Sequence, residues 1–446
     1  MKRKITLNGM ALAVLLSVSF VSQAQNQPKP FGRFSLTPDS NGIIKCASAE
    51  NEILLQEQNP NRPTTAQFEQ WMAEKIEEGK EKRTPKSGNA IITIPVIVHV
   101  IHNGDAVGSN ENIPQAQIER QIEILNEDFG AMVGTAGENV TGWGGDTEIR
   151  FCLATLDQDG NTLPFPGVDR YPDGLASYTN KSDIETVKGF TQWDPEKYYN
   201  IWVLNMNINP NGGTLLGYAQ FPSYTSMPGL GPGQIGPVGE SFTDGVAIKY
   251  QYFGGNSRTT THETGHFLGL RHIWGDKENT CIGEDDYCAD TPNAAAANNS
   301  CIQNDSCPEG DPDMIENYMD YTPDSCMSVF TPNQKTRMRT ILQNAVRRAN
   351  LATSNVCGTA SSQEFQFLMG TNIYPNPTQN ELTISVGSEN LPDSYSIYNS
   401  LGQTMANVSS VTEANLTINT SAYSNGIYFI KIDKGAESRT IKFVKN

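Results

Sequence analysis

His262-Glu263-Thr264-Gly265-His266-Phe267-Leu268-Gly269-Leu270-Arg271-His272 reads HExxHxxGxxH. His262 and His266 are four residues apart, so on a helix they share one face, one turn apart. Two imidazoles so placed can bind one Zn²⁺. Glu263 follows the first of them, where its carboxylate reaches a metal-bound water as general base. Gly269 lets the backbone leave the helix with positive φ and brings His272 round as third ligand. Three neutral imidazoles leave a fourth zinc position for water, as a catalytic site requires.

HExxH alone arises often by chance. The longer motif fixes five positions, at about one in twenty each, so a chance match in one chain falls below about one in a thousand. The chain has only 5 His, and three of them are here.

About fifty residues downstream stands Asn317-Tyr318-Met319-Asp320-Tyr321. Here the chain resembles the metzincin metallopeptidases, whose zinc helix is followed by a methionine turn beneath the metal. Met319 would be that methionine, a soft apolar floor. Leu215 to Pro222, Asp244 to Ile248 and Asp290-Thr291-Pro292 extend the match over roughly Lys45 to Cys357. With them the chain resembles the pappalysin family. The resemblance implies an α+β metzincin-like catalytic domain, a mixed twisted sheet backed by helices. It implies a secreted zinc endopeptidase acting on protein or peptide substrates, with the Tyr321 hydroxyl as a second donor near the metal.

The 446 residues suffice for two or three domains. Lys2-Arg3-Lys4, the apolar Met10 to Phe20 and Ser22-Gln23-Ala24 read as a signal peptide over residues 1–24. The apolar run is too short for a membrane span. The expected destination is therefore extracellular, by way of the periplasm, with attachment to the cell surface as one form. A formal charge of −17, from 49 acidic and 32 basic residues, argues against nucleic-acid partners. Five of the 8 cysteines (Cys281, Cys288, Cys301, Cys307, Cys326) follow the zinc motif. In an exported chain they read as disulfides pinning a long loop. Five is odd, so one pairs elsewhere or stays free, with Cys152 and Cys357 as candidate partners.

Residues 25–88 read as a propeptide, with a charged helix over Ala66 to Glu81. Residues 89–358 form the peptidase domain. Its expected elements are a buried strand over Ile91 to Ile101, a helix over Pro114 to Phe129, and strands over Glu148 to Leu156 and Asn200 to Met206. Leu215 to Phe221 would be an edge strand, onto which a peptide can add as a further strand. The zinc helix spans Arg258 to Leu268, and a last helix Gln334 to Arg347. After a linker, 359–370, residues 371–446 alternate as short strands between Asn-Pro, Leu-Gly and Asn-Gly turns, a small all-β sandwich. Ile373 to Pro377, Tyr398 to Gln403, Gly426 to Ile432 and Lys442 to Lys445 resemble the sorting domain of type IX secretion substrates. A generic binding sandwich is the competing reading.

Three further sites carry two readings each. Cys46 could cap the open zinc position as a thiolate, as some pappalysin relatives imply while others use an aspartate, or it could be inert. Glu284, Asp285, Asp286, Asp290 and Thr291 lie in an acidic loop without EF-hand spacing. It is either solvated or, as relatives imply, a calcium site. Family members favour Arg just after the scissile bond, and Asp324 is the one carboxylate in Thr322 to Cys326 that could pair with it; it could equally cap a turn. Two other functions compete with the endopeptidase: a non-catalytic adhesin on a metalloprotease fold, and a metal-dependent amidase. Retention of Glu263 with all three histidines disfavours the first, and the edge strand the second.

Overall fold

The computed structural model describes Phe31 and residues 36–82, 90–139, 141–224, 241–276, 281, 286–307, 310–357, 372–385, 391–399, 403–411, 415–434 and 437–446. The signal peptide, the linker, Glu284 and Asp285 lie outside them. An N-terminal segment supplies β1 (Ile43–Cys46), α1 (Ser48–Gln58) and α2 (Thr65–Lys82). The catalytic unit follows with β2 (Ile92–Ile101), α3 (Gln115–Phe129), β3 (Ile149–Leu153), β4 (Val168–Tyr171), α4 (Lys181–Thr191), β5 (Tyr199–Leu204), β6 (Thr214–Ala219), β7 (Val246–Lys249), α5 (Thr259–Phe267), α6 (Pro332–Asn344) and α7 (Arg348–Leu351).

These strands make a mixed sheet in the order β1-β6-β7-β5-β2-β3, with β4 also on β2. β2 is mostly β-branched and β5 mostly aromatic and aliphatic, and both are buried almost throughout, as parallel strands covered on both faces must be. α3 lays Ile118, Ile122, Leu125 and Phe129 on that sheet. β6 runs antiparallel to β7. The expected edge strand is thus present, but its free edge is not open: β1 pairs with it in parallel, with Cys46 opposite Gly217. α2 packs Phe68 and Met72 against Ile341 of α6 and Ala345 just past its end.

Cys152 pairs with Cys357, Cys281 with Cys307 and Cys301 with Cys326. Cys288 is the fifth loop cysteine, free and buried, as is Cys46. The C-terminal strands are β8 (Asn372–Tyr374), β9 (Glu381–Ser385), β10 (Ser394–Asn399), β11 (Thr404–Val408), β12 (Asn415–Asn419), β13 (Gly426–Lys434) and β14 (Glu437–Lys445). They form a sheet β11-β10-β13-β14 and a sheet β12-β9-β8. Leu382, Ile384, Ile397, Ile430, Ile432 and Phe443 make their shared core.

Candidate metal centre

α5 carries His262 and His266 on one face, and Gly269, at φ 89°, turns the chain so that His272 returns to them. The three Nε2 atoms lie 3.1–3.2 Å apart. Each opposite nitrogen is committed: His262 Nδ1 to the Tyr318 carbonyl at 2.7 Å, His266 Nδ1 to the Leu270 carbonyl at 2.8 Å, and His272 Nδ1 to Asp276. Those acceptors hold the ring protons at Nδ1 and turn three lone pairs inward. Three buried acceptors this close repel one another unless a cation lies between them. Tetrahedral zinc with Zn–N of about 2.0–2.1 Å places its nitrogens about 3.3 Å apart, so the set fits zinc. Burial pushes His262 and His266 well below the ordinary imidazole range, which keeps them neutral as ligands.

Met319 lies fully buried beneath the helix. A Cβ added at Gly265 would stand 2.4 Å from Met319 Sδ. The glycine between the two helical histidines is therefore what admits the thioether. Asn317 Oδ1 accepts the Met319 N–H at 2.9 Å and fixes the turn. The Tyr321 ring packs at 5.7 Å from His262 and 5.0 Å from His272, and its hydroxyl donates to the Cys46 carbonyl at 3.4 Å.

Cys46 completes the cluster; its Sγ and the three imidazoles offer ligand atoms all within 4.8 Å of one another. Glu263 Oε2 accepts from Ser48 Oγ at 2.6 Å and from Cys46 Sγ at 3.4 Å. Burial pushes Glu263 up to about 8, against those two hydrogen bonds. Burial and the neighbouring Glu263 likewise push the Cys46 thiol up. Lys45 Nζ lies 3.6 Å from Asp324 Oδ1 and donates to the Thr322 carbonyl.

The acidic loop is spread out. Asp290 accepts from Thr331 Oγ1 at 2.7 Å and from the Asn333 N–H at 2.8 Å, so it binds the start of α6. Asp286 accepts the Cys288 N–H at 3.0 Å, and the Thr291 N–H donates to the Cys288 carbonyl. Among the described residues the one cluster of metal-ligating side chains is Cys46 with the three histidines. Sequence reasoning missed Ser48, Asp276 and the Lys45–Asp324 pair. Asp276, four residues past His272, could have been found as the carboxylate partner a ligating imidazole seeks. The other two are contacts between distant parts of the chain.

This fold and this cluster define a zinc metallopeptidase of the metzincin class. A family model described as Pregnancy-associated plasma protein-A, of the peptidase M43 group, matches residues 181–343, and a secretion system C-terminal sorting domain model matches residues 372–446. An extracellular metalloprotease of Podospora anserina is 38% identical over 314 residues, 68% of this chain and 90% of its own. One from Verticillium alfalfae is 30% identical over 277 residues, 59% of this chain and 82% of its own. A solved Tannerella forsythia promirolysin variant superposes with a TM-score of 0.53 at 33% identity, covering 70% of this chain and 97% of its own. The chain belongs to the pappalysin family of metallopeptidases and carries a type IX secretion sorting domain. It is a secreted metalloendopeptidase; no helix among the described residues is long and apolar enough to cross a membrane.

Proposed function

We propose that the enzyme hydrolyses peptide bonds with Glu263 as general base, and that residues 25–88 form a propeptide holding the peptidase unit of 89–358 latent. The observation that carries this is the convergence of three inward Nε2 atoms beside a buried carboxylate. His262, His266 and His272 would hold one zinc. Zinc supplies Lewis acidity there, lowering the pKa of water towards about 7. Glu263 takes the proton from the attacking water and passes it to the leaving amine. The Tyr321 hydroxyl, freed of the Cys46 carbonyl, donates to the developing oxyanion. Met319 supports the helix between the ligands.

In the latent form the Cys46 side chain takes the place of the water. Burial raises its thiol, so a thiolate there depends on a cation among the imidazoles. Asp324 receives Arg on the carboxyl side of the scissile bond. In support, Asp324 already faces a cation, Lys45, one residue before Cys46. Calcium binding is proposed for the loop of Glu284, Asp285, Asp286, Asp290 and Thr291, in which Asp290 also accepts from Thr331 and Asn333 at the start of α6. The sorting domain directs export through the periplasm and attachment at the cell surface.

Glu263→Ala should keep one zinc per chain and lose nearly all hydrolysis of an Arg-containing peptide. Substantial residual turnover with zinc in place defeats this mechanism. A cleavage profile of the same enzyme, unchanged by Asp324→Ala, defeats the specificity reading.

A further inference from the structure

We infer that Arg271 and Arg337 form a carboxylate-binding subsite of the active enzyme, on the amino side of the scissile bond. The inference rests on the reading above, that residues 25–88 leave and that Asp324 takes the residue after that bond. In the latent form both guanidiniums converge on one oxygen of Glu69, from α2 of the propeptide. Arg271 Nε donates to Glu69 Oε1 at 2.7 Å and Arg337 donates to it at 2.6 Å. All three side chains are buried, at 8%, 2% and 6% exposure.

Neither arginine depends on the propeptide for its position. Arg337 Nε donates to the Gly269 carbonyl at 2.7 Å, in the turn that returns His272. The Arg271 guanidinium lies over Phe221 at 5.4 Å, and both arginines lie over Tyr287, at 5.9 and 5.7 Å. Asp276 is 3.9 Å from Arg271, too far for a hydrogen bond, and its nearer duty is to His272. When Glu69 departs, two held cations face a vacated carboxylate position. Asp286 acts on Arg337 only at longer range; a guanidinium half-removed from water with no carboxylate in hydrogen-bond reach is costly, so an incoming carboxylate gains there what it would not gain in solvent.

The place of this pair along the cleft fixes its side. Phe221 packs against the ligand His266 at 5.1 Å between ring centres, so Arg271 stands one side chain beyond the metal cluster. Along β6, Cys46 lies opposite Gly217, and Phe221 is four residues further on, about 13 Å in extended chain. Lys45 and Asp324 lie on the other side of Cys46. A substrate with Arg at Asp324 therefore presents one of its first four residues on the amino side to Arg271 and Arg337. The ligand is an Asp or Glu side chain.

The test uses the full chain after activation, loaded with zinc, on peptides cleaved before a common Arg. Pairs differ by Glu or Gln at each of the four preceding positions. The expected result is a kcat/KM ratio of about ten or more in favour of Glu at one position. Arg271→Gln should bring that ratio to near one, and Arg271→Lys should restore part of it; Arg337→Lys serves where Arg271→Gln yields no folded protein. Equal rates for every pair overturn the subsite, as does a Glu preference that survives Arg271→Gln. A Glu preference without an Arg preference keeps the subsite and defeats the Asp324 reading. An Arg preference without a Glu preference does the reverse.

Discussion

Ser48→Ala in the precursor should release latency more than its size suggests. Its hydroxyl donates to Glu263 Oε2 at 2.6 Å and accepts the Ala219 N–H at 2.7 Å, while its own N–H donates to Cys46 Sγ at 3.2 Å. The alanine removes a hydrogen bond to a carboxylate, about 1.5–3 kcal/mol, and leaves the Ala219 N–H unpaired in the closed state, about 1–3 kcal/mol more. In the open state water satisfies both groups, so the loss falls on the closed state alone. These costs do not simply add. Taking about 2 kcal/mol, the open fraction rises roughly thirtyfold. The assay is the initial rate on a quenched Arg-containing peptide, read before processed enzyme appears on a gel. Cys46→Ala and the double variant complete a cycle, and the two single effects should couple because both side chains meet the same carboxylate oxygen. A Ser48→Ala precursor as silent as wild type, and as slow to process, refutes the reasoning.

Gly265→Ala should lower the melting temperature by several degrees, since its Cβ would meet Met319 Sδ at 2.4 Å and overpacking costs about 1–3 kcal/mol; an unchanged melting curve with zinc bound counts against the close approach. Burial pushes Glu69 up, but Arg337 and Arg271 outweigh it and hold it below the ordinary carboxylate range. A lowered carboxylate contributes stability above its unfolded value, about 4.3, and loses it as pH falls through the folded value. The protection factors of the α2 amides, with the intrinsic pH dependence of exchange divided out, should therefore fall below about pH 4 and stay flat from 6 to 8, and Glu69→Gln should erase the acid step. Deleting residues 372–446 should leave peptide hydrolysis intact and abolish export from the native host, and normal export of the truncated chain would contradict the sorting role.

The zinc helix, the methionine turn and the apolar strands of the sheet were legible because their chemistry is local. HExxHxxGxxH sets its own geometry, β2 is a run of β-branched residues, and β5 is aromatic and aliphatic almost throughout. α4 was not seen, although Asn180 caps it by accepting the Asp183 N–H at 3.0 Å. Its polarity concealed it: Lys181, Glu185 and Lys188 are buried, with Glu185 facing both lysines and accepting from the Tyr218 hydroxyl. A helix that buries ions breaks the apolar period that sequence reading depends on. β6 was legible as a strand, but its partner was not. Nothing local tells Ile43–Cys46 to lie against Thr214–Gly217, and a long-range pairing of this kind follows from the tertiary packing around it.

A segment lodged in a protease cleft must satisfy the recognition groups without offering a bond for attack. Here the backbone of β1 occupies the edge of β6, and side chains cover the remaining recognition groups. Cys46 and Ser48 turn their Sγ and Oγ onto Glu263, Lys45 reaches Asp324, and Glu69 reaches the two arginines. These contacts differ in strength. The Lys45–Asp324 pair is part-exposed, at 21% and 34%, and an ion pair so wetted contributes about 0–1 kcal/mol. The Glu69 pairs are buried, and breaking one by removing a partner strands a charge, at about 3–5 kcal/mol. The side-chain hold on the cleft is thus lopsided: firm beyond Cys46, through Ser48 and Glu69, and weak before it, where the backbone pairing of β1 with β6 carries the contact. A protease that nicks the chain between α2 and β2 leaves the firm contacts intact, so cutting there does not by itself empty the site. On the propeptide reading proposed above, activation should then wait on the dissociation of α2 from Arg271 and Arg337, and acid should speed it.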